Sequence, residues 1–99
     1  MNKEIALRAN ITHEEIVQSI RKFIFENYLF GYNEDEFSNE ASFMDNGVID
    51  SLGVMELLTY IEKEFDITVS DSEILPDNLD SIDCVSRFIL RKKAAWARG

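Results

Sequence analysis

The sequence is poor in cysteine, histidine, proline and glycine, and each shortage excludes a class of protein. One cysteine rules out an internal disulfide framework, and one cysteine with one histidine cannot make a structural zinc site. One proline and four glycines in 99 residues are too few turn formers for a fold of many short strands. No stretch approaches the roughly 18 consecutive apolar residues of a membrane span. These shortages favour a helical domain in a reducing, cytosolic setting.

The length and the N-terminus set further expectations. Residues 1–99 are enough for a single domain, and we expect its core to run from about residue 12 to residue 92, with frayed ends. The first seven residues hold neither a long apolar run nor a small-residue cleavage site, so we expect no secretion signal. No repeat, low-complexity tract or internal linker divides the chain.

Basic residues are almost absent from the middle of the chain. Residues 31–83 carry fifteen acids against Lys63 alone, a net charge of −14, whereas residues 84–99 carry five bases and no acid. A middle of this sign repels nucleic acid and anionic lipid, so we expect neither nucleic-acid binding nor membrane insertion. A basic protein partner is the natural complement. A solvated face that only keeps the domain soluble is the other interpretation.

Apolar periodicity predicts a first helix and a long loop after it. Thr12 and Glu15 form a capping box, and an apolar stripe at three- and four-residue steps then runs to Tyr28. The periodicity disappears from Leu29 to Ile49. We expect the apolar residues Phe43, Val48 and Ile49 to hold this loop against the core.

Further helices are predicted in the second half of the chain. One begins near Asp50 and Ser51 and ends at Asp66, with an inward stripe of Leu52, Met55, Leu58, Ile61 and Phe65. A short helical turn over residues 70–75 is stopped by Pro76. Ser81 caps a last helix that buries Ile82, Val85, and Phe88 or Ile89, with Cys84 as a small core or boundary residue. The predicted fold is all-α, a four-helix bundle of three longer helices and one short one.

No constellation of side chains predicts catalysis. A nucleophilic Ser51 needs an activating base and an orienting third group, and the one histidine, His13, belongs to the exposed first turn of another helix. Asp45, Asn46 and Gly47 are adjacent rather than alternating, which does not suit a calcium loop. No glycine-rich phosphate loop with a lysine is present. We therefore expect no catalytic residues and no metal ligands.

Chemistry concentrates where the long loop meets the second helix, in residues 47–53. Ser51 is predicted to face outward at a helix N-terminus, where free amides and the helix dipole favour a phosphate. Asp50 is predicted to accept from the amide of Leu52 or Gly53, and Leu52 to turn inward. We expect Gly53 to leave this turn bare for a partner, and Gly47 to adopt a positive φ. For the tripeptide alone, a plain helix cap at Asp50 and Ser51 is by far the better explanation.

The wider pattern resembles the acyl carrier protein family, which includes peptidyl and D-alanyl carrier proteins. The resemblance rests on residues 43–58, residues 61–67, the segment Leu79–Ile82 and the closing helix, and it covers about residues 12–92. It implies a four-helix bundle whose serine, here Ser51, is esterified with 4′-phosphopantetheine from coenzyme A by a separate transferase. The thiol of that arm would carry an acyl or aminoacyl group as a thioester.

The resemblance also assigns roles around Ser51. Asp50 matches the family's acidic residue that helps the transferase reaction. The helix beginning at Ser51 matches the recognition helix, which implies a surface for loading enzymes and synthases with basic docking faces. Its residues here are Leu52, Gly53, Val54, Met55, Glu56, Tyr60 and Glu62. The family implies a monomer.

The resemblance leaves the cargo and the pathway open. The sequence of residues 46–53 is closer to that of D-alanyl and stand-alone aminoacyl or peptidyl carriers. Carriers of fatty acid synthesis have a more acidic recognition helix. The sequence is compatible with fatty acid, polyketide and nonribosomal-peptide pathways. The alternative is an unmodified acidic interaction module with the same fold, which would bind a basic partner without regard to Ser51.

Overall fold

The structure, a computed structural model, describes residues 3–8 and 10–98. Within this part of the chain there are helices and turns but no β-strand. The helices are α1 (Lys3–Ala6), α2 (His13–Asn27), α3 (Ser51–Phe65), α4 (Pro76–Leu79) and α5 (Ile82–Arg98), with short 3-10 turns at Glu34–Glu36 and Asp71–Glu73. The all-α prediction with three long helices is confirmed.

Helix α2 begins where its capping box predicts. The Thr12 hydroxyl accepts from the Glu15 amide at 3.1 Å, and the Glu15 carboxylate accepts from the Thr12 amide at 2.9 Å. Ile16, Ile20 and Ile24 are fully buried, as the apolar stripe indicates. His13 is largely exposed, and its Nε2 lies 3.6 Å from a carboxylate oxygen of Asp83 on α5.

The long loop between α2 and α3 is held against the core by its own apolar residues. Phe43 and Ile49 are buried and Val48 is half-buried, as predicted. The Phe43 ring stacks on Phe37 with centroids 6.3 Å apart. Arg21 of α2 also fixes the loop, because its guanidinium donates to the Asn39 side chain at 2.9 Å and to the Glu34 carbonyl. The loop therefore has one defined path across the bundle.

The inward stripe predicted for α3 is wrong in its first half. The helix buries Gly53, Leu57, Leu58, Ile61 and Phe65. Leu52 and Met55, predicted to be inward, are 71% and 55% exposed. The error lies in repeated steps of three. Ile61 follows Leu52 by nine residue steps, which is about two and a half helical turns, so the side chains of Leu52 and Ile61 point in opposite directions.

The segment after α3 differs from the prediction at Pro76. Asp66 ends α3 in the left-handed region, at φ 54°, as the expected last residue. A 3-10 turn follows, but Pro76 then begins the short helix α4 instead of only stopping the turn. Proline suits the first helical position, since its missing N–H would have no intrahelical acceptor there.

Helix α5 begins as predicted and continues further. The Ser81 hydroxyl accepts from the Cys84 amide at 2.9 Å, and Ile82, Val85, Phe88 and Ile89 are all buried. The helix extends to Arg98, so the five basic residues of the segment 84–99 lie along its length. Arg87 pairs with Asp83 at 2.9 Å and Lys92 with Glu73 at 2.9 Å, while Lys93 is buried.

Both ends of the described chain are helical, and fraying there stays a prediction. Lys3–Ala6 is helical with Ala6 fully buried, and α5 includes all but the last residue of the tail. Met1, Asn2, Ala9 and Gly99, and the side chain of Trp96, lie outside the described residues.

Candidate functional site

Ser51 is the first residue of α3 and is exposed to solvent. The amides at a helix start have no intrahelical acceptors. The Asp50 side chain accepts from the Gly53 amide at 2.9 Å, which confirms the predicted cap. The amides of Ser51 and Leu52 are left to bind an anion, and the positive end of the helix dipole adds to that preference. A phosphate esterified to the Ser51 hydroxyl fits this position.

Two glycines shape the approach to Ser51, and the role predicted for one of them is wrong. Gly47 has φ 65°, the positive value predicted, which glycine adopts without steric cost. Gly53 is buried, not bare: a Cβ at this position would lie 2.7 Å from Cγ2 of Ile49 and 3.4 Å from Cε1 of Tyr28. Gly53 therefore lets Ile49 and Tyr28 close against α3.

Tyr28 supports the start of α3 from the end of α2. Its hydroxyl donates to Oε1 of Glu56 at 2.6 Å and lies 3.5 Å from the Gly53 carbonyl oxygen. Partial burial, followed by the hydrogen bond and the charge of Glu56, raises the pKa of Tyr28 to about 12. The sequence pattern assigned Tyr28 only to the apolar stripe, because a hydroxyl partner twenty-eight residues away has no local signal.

An apolar surface lies around Ser51. Leu52 is 71% exposed and Met55 55%, and Met44 and Leu75 are also exposed. Between α3 and α4 is an apolar groove of about 180 Å³, lined by Met44, Val54, Ile74, Leu75, Pro76, Leu79 and Asp80. Exposed apolar side chains at one end of an acidic domain are typical of an interaction site.

The residues predicted to bind partners differ in exposure: some side chains are exposed and others are half-buried. Met55 and Glu56 are exposed, and Val54 is half-buried in the groove wall. Tyr60 turns toward α2, where its hydroxyl is 2.7 Å from that of Ser19 and its ring stacks on Phe23 with centroids 4.2 Å apart. Glu62 accepts from the Val69 amide at 3.0 Å and so holds the segment after α3.

Asp80 fixes the loop on the other side of the groove, and sequence reasoning did not assign it a role. Its carboxylate accepts from the Ser42 hydroxyl and from the Met44 amide, the latter at 3.0 Å. Its carbonyl accepts from the Phe43 amide at 2.8 Å. Acidic residues are so frequent in this stretch that nothing in the sequence pattern distinguishes this one.

The described residues contain neither a candidate metal cluster nor a membrane-spanning helix. In residues 3–8 and 10–98, no three His, Cys, Asp or Glu side chains are grouped so that they could hold a metal ion. None of the helices in the same residues is both long and apolar enough to cross a membrane.

Comparison with known proteins identifies relatives of this chain. Residues 29–89 match the family model described as the phosphopantetheine attachment site. A protein named acyl carrier protein from Buchnera aphidicola subsp. Acyrthosiphon pisum (strain Tuc7) is 37% identical over 81 residues, which cover 80% of this chain and 99% of the relative. The acyl carrier protein of strain APS is equally similar, with 37% identity over the same coverage.

Proposed function

Because this chain belongs to the acyl carrier protein family, which binds phosphopantetheine, we propose that Ser51 carries the arm and that the arm's thiol holds an acyl or aminoacyl thioester. The cargo would pass to enzymes of fatty acid, polyketide or nonribosomal-peptide biosynthesis in the cytoplasm. The observation that carries this proposal is the exposed Ser51 hydroxyl at the start of α3, beside an Asp50 that caps the helix.

The geometry around Ser51 suits a substrate of a transferase. An exposed hydroxyl can be reached without unfolding the helix, and the Ser51 and Leu52 amides favour the phosphate that becomes attached. One carboxylate oxygen of Asp50, Oδ1, accepts a hydrogen bond from the Gly53 amide. Its other oxygen is available to the incoming enzyme, in keeping with the role that the family gives to this acid.

The partner surface in this proposal is the outward side of α3. Leu52 and Met55 supply apolar contact and Glu56 supplies charge, and all three are exposed. Val54, Tyr60 and Glu62 contribute from within, since Val54 lines the groove and the other two hold α3 against its neighbours. The net charge of −9 opposes self-association and favours a monomer that meets basic docking surfaces.

Intact-mass measurement tests the attachment. The protein is incubated with coenzyme A, magnesium and a broad-specificity phosphopantetheinyl transferase. We expect the wild type to gain the mass of one arm and Ser51→Ala to gain none. Ser51→Ala should stay folded, because removing an exposed first-turn hydroxyl costs at most about 1 kcal/mol. Loading of Ser51→Ala would refute the site.

A failure of the wild type to load would favour the alternative function. If folded wild type gained no mass with two unrelated transferases, the unmodified interaction module would be the better description. That module predicts binding to a basic partner that weakens with salt and is indifferent to Ser51→Ala.

The groove between α3 and α4 provides a test of the cargo. Its lining is almost entirely apolar, with Met44, Val54 and Ile74 among the walls. A long acyl chain on the arm should enter here and shift the NMR signals of Val54 and Ile74, whereas an attached amino acid should leave them unchanged. Absence of any shift with a long-chain acyl group would argue against a fatty acyl cargo.

A further inference from the structure

The turn after α2 exposes two aromatic side chains that the bundle does not use. Phe30 is 89% exposed and Tyr32 63%. They flank Gly31, whose φ of 89° is the positive value that glycine accommodates. Residues 30–32 form a segment that we name the aromatic tip. Large aromatic side chains left this open contribute little to folding, because they remain mostly hydrated.

The aromatic tip belongs to a closed turn. The Tyr32 amide donates to the Leu29 carbonyl at 3.0 Å, which closes the turn, and Leu29 itself is buried. Phe37, further along, packs edge-on against Phe25 with centroids 6.2 Å apart. Because the backbone of the tip is fixed on both sides, little conformational freedom is lost when a partner binds it.

The tip lies at the same end of the bundle as Ser51. Tyr32 and Val48 line one open slot of about 260 Å³, together with Leu29, Glu36, Phe37 and Asn46. Val48 precedes Ser51 by three residues, a distance of at most about 11 Å of chain. A protein that covers Ser51 therefore also reaches the aromatic tip.

Acidic residues follow the tip directly. Glu34, Asp35 and Glu36 form the first 3-10 turn and are exposed. Within residues 3–8 and 10–98, these three carboxylates make no ion pair; the ion pairs there involve Asp83 and Glu73. An aromatic pair beside unpaired acids is complementary to an apolar cleft edged by lysine or arginine.

We propose that the aromatic tip, with the acidic turn beside it, docks the phosphopantetheinyl transferase, and that Phe30 fills an apolar cleft edged by basic side chains. The transferase is the occupant favoured here, because it must bring coenzyme A to the Ser51 hydroxyl itself and so must cover this end of the bundle. A second copy of the chain is disfavoured, since two chains of charge −9 repel each other. The proposal rests on the proposed function of Ser51.

Steady-state kinetics of Ser51 modification test the docking, with a broad-specificity transferase and the carrier as varied substrate. We expect Phe30→Ser to raise KM about tenfold with kcat unchanged, a loss typical of a truncated interface aromatic. Phe30→Leu should recover most of the affinity, because leucine also fills an apolar cleft. Circular dichroism should show wild-type folding for both, since Phe30 is 89% exposed.

The charged part is tested with a matched pair of variants. Glu36→Gln should raise KM at low salt, and the difference from wild type should shrink as salt increases. Glu14→Gln makes the same change of net charge in the first turn of α2, at the far end from Tyr28, and should leave KM unchanged.

Each remaining outcome decides between hypotheses. If wild type loads and Phe30→Ser has an unchanged KM, this proposal is refuted while the carrier function stands. If folded wild type does not load with this transferase or with a second, unrelated one, both are refuted. If Phe30→Ser instead abolishes a concentration-dependent dimer and leaves KM unchanged, the tip contacts a second copy and not the transferase.

Discussion

Single residues at the start of α3 decide how Ser51 is presented. Asp50 caps the helix, Gly53 admits Ile49, and Tyr28 holds Glu56. None of these residues needs to touch the arm. Each helps to fix the first turn of α3, so the backbone at Ser51 has a defined position before any enzyme arrives.

Gly53→Ala should destabilise the fold despite alanine's better helix propensity. Replacing glycine by alanine in a helix interior stabilises the helix by up to about 1 kcal/mol. The new Cβ would lie 2.7 Å from Cγ2 of buried Ile49, and overpacking of this kind costs about 1–3 kcal/mol. With the full propensity gain subtracted, we expect a net loss of up to about 2 kcal/mol in the free energy of unfolding, measured with urea.

Ile49→Leu provides the matched background for that measurement, since leucine has no Cγ2 branch at Cβ. In this background Gly53→Ala should cost much less, or become stabilising. An equal cost in both backgrounds would show that the contact with Ile49 is not the cause.

Tyr28 should make stability fall at high pH. Its pKa is raised to about 12 in the folded protein against an ordinary value of 10.0, so the neutral form is favoured by folding. Its contribution is therefore complete below pH 10 and is lost as the pH rises through 12. We expect the urea midpoint of unfolding to fall less steeply with pH for Tyr28→Phe than for wild type between pH 10 and pH 12. Parallel curves would contradict this role of Tyr28.

At the scale of elements, sequence patterns predicted α2 well and the first half of α3 poorly. The stripe of α2 repeats at mixed steps of three and four, which follow the true helical period. Leu52 and Met55 are apolar for another reason, since they lie on the exposed side near Ser51. Periodicity cannot separate apolar residues that face a core from those that face a partner. The prediction thus fails on the surface that we propose contacts partners.

The 3-10 turn Asp71–Glu73 is joined to α5 by one ion pair. Glu73 accepts from Lys92 at 2.9 Å and from the Ser70 amide at 3.0 Å. The backbone bond to Ser70 first, and then the bond to Lys92, lower the pKa of Glu73. This turn leads directly into Ile74 and Leu75, which line the apolar groove.

Glu73→Gln should loosen that wall of the groove. At neutral pH we expect the Ile74 and Leu75 amides to exchange with deuterium severalfold faster than in wild type. The stabilisation by Glu73 is present above its ordinary pKa of 4.5 and is lost as the pH falls through its lowered value, so the two proteins should converge in acid. A difference that persists in acid would mean that the charge of Glu73 is not responsible.

At the scale of the whole molecule, composition indicated the fold class, the resemblance indicated the function class, and the tertiary structure supplied the contacts. Scarce glycine and proline favoured helices, and the motif over residues 43–58 identified the family. The contacts of Tyr28, Asp80 and Gly53 depend on residues far apart in the chain. A single sequence without its fold carries no signal for such pairs. The same holds for the exposed Phe30, which looks like any core phenylalanine in the sequence.

The most direct test of the whole interpretation is to localise the modification in protein produced by a host that makes coenzyme A. Proteolysis followed by tandem mass spectrometry should find a single phosphopantetheine, on the peptide that contains Ser51. The serines Ser42, Ser70 and Ser72, which also lie in loops or turns, should be unmodified. An adduct on any of these, or a folded protein that stays unmodified even with an added transferase, would contradict the assignment of Ser51 as the attachment site.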